Sequence, residues 1–153
     1  MKSTLLSIII TIFTINSYSQ TIIVKDSLQS KNSFTIGILE GGGSLIGADI
    51  EILLIKKFGI QFGAGLVGYG AGFTFHLKPS IRSSFISVQY WHQGIGRSFT
   101  QSVVSANFVY RGKKWFTFQI GLGATLDKGP VWPKETKQLP VILTYAIGGY
   151  TPI

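Results

Sequence analysis

Two carboxylates stand two residues apart in Ile46-Gly47-Ala48-Asp49-Ile50-Glu51-Ile52, with four apolar residues in the alternate positions. On an extended strand such residues share one face, so Asp49 and Glu51 point away from the isoleucines. The same parity in later segments gathers Gln61, Thr74, His76, Lys78, Gln89, Asn107, Arg111, Thr117 and Gln119. Confined together, the two carboxylates should pair with Lys78, Arg111 and His76, because isolated charges away from water cost far more than paired ones. Asp49, Glu51 and His76 could instead form a proton or metal site. One histidine without recognisable ligand spacing favours the structural network, and neither metal nor cofactor is expected. The second histidine, His92, shares a face with Ile86, Val88 and Tyr90, and across a hairpin that face presents Thr100 or Ser102. An imidazole beside a hydroxyl can act as base to a nucleophile when a third group orients it. No acid lies on that face of a neighbouring strand by this reading, and Asp127 and Glu135 fall in a separate loop.

The elements that position these residues are short strands. Alternation marks them at 33–40, 45–55, 58–66, 69–78, 83–92, 101–111, 114–126 and 139–149, joined by hairpin connections. Gly41-Gly42-Gly43 reads as the first turn; no helix follows it, so it is a poor phosphate cradle. Asp127 to Gln138, with Pro130, Trp132 and Pro133, is the one loop composed for recognition or for covering an opening.

Alternation alone leaves open which face is inside. One face carries large side chains such as Phe34, Ile50, Phe62, Phe73, Phe108, Phe118 and Tyr145, and the other is rich in Gly37, Gly63, Gly70, Gly121 and Gly148. Eight strands enclose a space that side chains just fill, and so many large residues exceed it. The apolar face must therefore point outward, and the small residues suit a crowded lumen. A soluble surface would instead be rich in Lys and Glu. The expected fold is all-β, an eight-stranded antiparallel up-and-down transmembrane barrel.

In this pattern the chain resembles the small eight-stranded outer-membrane barrels, OmpA-type membrane domains and OmpX among them. The likeness covers residues 33–153 and includes the alternating end Tyr145-Ala146-Ile147-Gly148-Gly149-Tyr150. It implies periplasmic termini and short turns at Lys56-Lys57, Pro79 to Arg82 and Gly112-Lys113. It also implies longer outer loops at Gln93 to Thr100 and Asp127 to Gln138. Tyr69, Tyr90 and Trp91 would then form one aromatic girdle and Tyr110, Trp115, Phe116 and Tyr150 the other. The pairing of His92 with a hydroxyl resembles the outer-membrane lipid A deacylases, without their acid.

The N-terminus fits export. Lys2, the apolar run Leu5 to Ile15 and Ser17-Tyr18-Ser19 read as a cleaved signal peptide over residues 1–19, followed by a polar lead at 20–32. The chain is 45% hydrophobic and only 13% charged, which leaves too little charge to cover a soluble surface. It has no cysteine, which excludes disulfides, a thiolate nucleophile and a lipidated N-terminal Cys. The formal charge of +8 would suit nucleic acid or anionic lipid, and export leaves lipid headgroups as the better partner.

The expected role is therefore structural or interactive in a Gram-negative cell envelope, with outer-membrane lipids and an envelope or surface protein as partners and no catalysis. A lipid-modifying enzyme using His92 and a narrow solute pore are the rival readings.

Overall fold

Period-two alternation from Asn32 onward folds as strands because a closed sheet can present one parity to its interior and the other to its surroundings. The computed structural model describes residues 30–153. The expected signal segment, residues 1–19, and residues 20–29 of the polar lead lie outside the described residues. Eight strands follow in order: β1 (Asn32–Ile38), β2 (Ile46–Leu53), β3 (Phe58–Gly65), β4 (Gly68–His76), β5 (Phe85–Ile95), β6 (Ser98–Arg111), β7 (Phe116–Lys128) and β8 (Val141–Pro152). Each pairs antiparallel with the next, and β1 closes the barrel on β8 from Ser33↔Pro152 to Ile38↔Ile147. Closure leaves no unpaired edge.

The faces are inverted relative to a soluble barrel. Among the described residues only seven hydrophobic side chains are buried, against twenty polar or charged ones. The large apolar residues lie outside, as at Phe73, which is 73% exposed.

Both ends of the barrel are filled by its own connections. Between β1 and β2 the chain makes one short helical turn, Glu40–Gly43, whose Gly41, Gly42 and Gly43 have φ of +66°, +81° and +75°. This turn folds into the lumen. A Cβ on Gly47 would meet the Glu40 carbonyl, and Cβ atoms on Gly63 and Gly70 would come within about 3 Å of the Gly41 and Gly42 Cα atoms. The lumen glycines thus make room for a backbone, and only glycine adopts the turn's left-handed conformation without cost. At the opposite end the β4–β5 connection tucks Ile81 inside, 1% exposed, above Phe85 and Arg111.

Several expectations need correction. Lys78 is exposed and lies beyond the end of β4, which stops at His76 ahead of Pro79. The expected loop from Gln93 to Thr100 is mostly strand: β5 and β6 run on to a tight connection at Gly96 and Arg97, where Gly96 takes φ +56°. Asp127 lies within β7 and not in a separate loop. Trp91 and Tyr150 are buried at 5% and 3% and point inward, so neither belongs to an outer girdle. Tyr69, Tyr90, Tyr110, Trp115 and Phe116 do face outward.

Candidate functional site

The polar interior divides into two clusters along the barrel axis. Toward the end where β1 begins and β8 finishes, Glu51 on β2 receives partners from three other strands. His76 Nε2 lies 2.7 Å from Glu51 Oε1, and Arg111 Nη2 lies 2.8 Å from Glu51 Oε2. Arg111 also donates to Ser33 Oγ at 2.8 Å and to the Ile81 carbonyl. Its guanidinium stacks between the rings of Phe85 and Tyr150, at 5.0 and 4.6 Å from their centroids. This is a charge taken from water and returned to hydrogen bonds and π-faces.

Toward the other end, Asp49 Oδ2 accepts the Gly41 backbone N–H at 2.9 Å and so pins the inward turn. Glu40, in that turn, is 5% exposed. Burial, and next the Asp49 carboxylate beside it, push the Glu40 carboxyl well above the usual range. Gln89 is the hub of a further set of lumen hydrogen bonds. It donates to Gln61 at 3.0 Å and accepts from Trp91 Nε1 at 2.8 Å and from Asn107 and Gln119 at 3.4 Å each. Near the rim a separate chain of hydrogen bonds runs from Gln138 to Gln101, from Gln101 to Gln93 and from Gln93 to the Gly43 carbonyl.

The structure therefore gathers Asp49, Glu51, Gln61, His76, Arg111 and Gln119 in the lumen and leaves Lys78 outside it. Glu40, Ser33, Trp91 and Tyr150 join them without having been singled out. Strand parity could have found Trp91 and Tyr150; an inward-folding turn has no periodicity to betray Glu40. Among the described residues no group of three or more His, Asp or Glu is placed to hold a metal ion.

The second constellation is on the outside. His92, Ser102 and Asp127 occupy one register row across β5, β6 and β7. His92 Nδ1 lies 3.0 Å from Ser102 Oγ, and His92 Nε2 lies 3.2 Å from the Gly96 carbonyl. A carbonyl only accepts, so Nε2 carries the proton and Nδ1 receives the Ser102 O–H. Tyr90 donates its own O–H to Ser102 Oγ at 3.2 Å. The rings of Tyr69 and Phe99 cover His92 at centroid distances of 4.9 and 4.6 Å, which leaves it 7% exposed despite its outward parity. Thr100 is not its partner, donating instead to the Gln93 carbonyl at 2.9 Å. The group that orients the imidazole is thus a backbone carbonyl in the β5–β6 turn. Asp127 stands opposite Ser102 but hydrogen-bonds to neither member of the pair.

Comparison with protein-family models, with curated proteins and with solved structures gave no match. What the barrel can do must be argued from its own geometry.

Proposed function

We propose that this chain is a small barrel of a Gram-negative outer membrane, exported through a cleaved signal peptide, with a structural or interaction role in the envelope. The observation that carries the reading is the inversion of its faces: large apolar residues all round the outside, buried hydrogen-bonded polar residues within. Water would leave that exterior uncompensated, whereas lipid matches it. The resemblance to OmpA-type and OmpX-like barrels belongs to the same reading. A sealed interior supports it too, since the Glu40–Gly43 turn occupies one end and Ile81, Phe85, Arg111 and Tyr150 the other. That packing leaves the narrow-pore reading little support. The test is expression of the full chain followed by membrane fractionation and heat-modifiable gel migration. The barrel should sediment with the outer membrane and migrate faster unheated than boiled; recovery as a soluble protein would overturn it.

A second reading, hydrolysis of a membrane-lipid ester, is favoured by the His92–Ser102 pair with its tautomer fixed by Gly96. An apolar surface groove of about 320 Å³, walled by Phe62, Phe73, Tyr90 and Val104, lies one row toward the middle of the barrel and would suit an acyl chain. Against it, Ser102 is 2% exposed beneath Tyr90. Labelling of the inserted protein by a fluorophosphonate, lost in Ser102→Ala, would promote this reading over the structural one. Absence of labelling would retire it.

A further inference from the structure

The charge of the barrel is distributed unevenly between its ends. At the end where β1 begins and β8 finishes, the β2–β3 turn carries Lys56 and Lys57, the β4–β5 connection Arg82, and the β6–β7 turn Lys113 and Lys114, with Lys31 just ahead of β1. Five of the six are exposed, and Lys57 is half-buried. Among the described residues no Asp or Glu side chain accompanies them: Glu40, Asp49 and Glu51 are buried inside the barrel, and Asp127 and Glu135 are at the opposite end. At that opposite end Arg97, Lys128, Lys134 and Lys137 are mixed with those two acids.

The position of the cations is as informative as their number. The connections that bear them recur around the whole perimeter, so the charge forms a ring and not a patch. Directly beside it the outward residues are apolar: Leu54, Phe58, Phe75, Leu77, Tyr110 and Phe116. The Lys57 ammonium lies 5.9 Å from the centre of the Phe75 ring, so charge and apolar band meet without a neutral polar layer between them. Lysine stems can lie along such a surface and place their ammonium groups at its edge. An acidic protein would approach the end face of the barrel, whereas groups at the border of the apolar band are at the depth of lipid phosphates.

We infer that this ring is a binding surface for anionic phospholipid headgroups, which it concentrates around this end of the barrel. The inference rests on the membrane reading above. Several lipids would be held, each phosphate by the cations of one or two adjacent connections, and the attraction would be screened by salt.

The test uses the full barrel inserted in vesicles of phosphatidylcholine, with protease protection to establish insertion, and spin-labelled phosphatidylglycerol and phosphatidylcholine as competing probes. The wild type should prefer the anionic probe by about threefold or more at low salt. The preference should fall toward equality in a variant combining Lys56→Ser, Lys57→Ser, Lys113→Ser and Lys114→Ser, all between strands. It should persist in Lys134→Ser with Lys137→Ser, at the other end. An inserted wild type with no preference, or a preference that the four-residue variant keeps, overturns the inference while leaving the membrane reading intact. Binding of soluble polyglutamate without lipid preference would also overturn it, in favour of an acidic protein. Failure to insert at all overturns both.

Discussion

Glu51 and Arg111 meet at 2.8 Å inside the barrel with each side chain only 2% exposed, and they join β2 to β6 across the lumen. They do not pair along adjacent strands; the contact exists only because the sheet closes. Removing one partner leaves an uncompensated buried charge. Glu51→Gln should therefore destabilise the folded barrel by about 3–5 kcal/mol. A double-mutant cycle with Arg111 should show a coupling of about 0.5–3 kcal/mol in urea unfolding.

The inward turn predicts a pH dependence of known sign. Glu40 has a folded-state carboxyl raised above its unfolded value by burial and by Asp49. Such a group binds its proton more tightly when folded, so its stability contribution is full below the unfolded value and is lost as pH rises through the folded one. Glu40→Gln is neutral throughout. It should resemble the wild type in acid and exceed it in stability at neutral pH, as read by urea midpoints across that range. A variant that loses stability most at neutral pH would contradict this assignment.

Gly42 should tolerate no side chain. Its φ is +81°, and a Cβ would run into the Tyr69 carbonyl group on the lumen wall. Gly42→Ala should cost about 1–3 kcal/mol or displace the turn from the lumen. Gly96→Ala, whose Cβ would meet nothing within 4 Å, should cost less despite its φ of +56°. Comparing the two urea midpoints separates backbone strain from the clash with the wall.

His92 has a structural role whatever its chemistry. It hydrogen-bonds Ser102 and the Gly96 carbonyl and is stacked between Tyr69 and Phe99. His92→Ala should destabilise the barrel by about 1–3 kcal/mol through the hydrogen bonds left unmade and the lost stacking. His92→Phe should recover the stacking share alone. Circular dichroism and urea unfolding of the inserted barrel would measure both.

The barrel and its facing were legible because both rest on period-two alternation, which long strands such as β6 and β7 repeat over many residues. What the pattern missed has no period. Glycine-rich Glu40–Gly43 looks like an ordinary turn, and its inward path depends on Gly47, Gly63 and Gly70 on three other strands. Lys78 has the parity of His76, but the strand stops at His76 ahead of Pro79, and alternation does not carry burial past a strand end. Asp127 reads as loop because the alternation breaks after Leu126, where an irregularity between the Val103↔Thr125 and Ser102↔Asp127 pairs lets β7 run on to Lys128 out of phase. The role of Gly96 could not be anticipated at all, since a backbone carbonyl leaves no mark in the sequence.

The central claim is that the apolar exterior lies in lipid, and Phe73 tests it most directly. Its side chain is 73% exposed near the middle of that face. A single tryptophan placed there, Phe73→Trp with Trp91, Trp115 and Trp132 replaced by Phe, can be read by quenching in vesicles whose acyl chains carry bromine at graded depths. The account predicts strong quenching that is greatest for bromines near the bilayer centre, and weak quenching when the single tryptophan is instead the native, lumen-facing Trp91. Quenching of position 73 by aqueous acrylamide but not by brominated chains would contradict it.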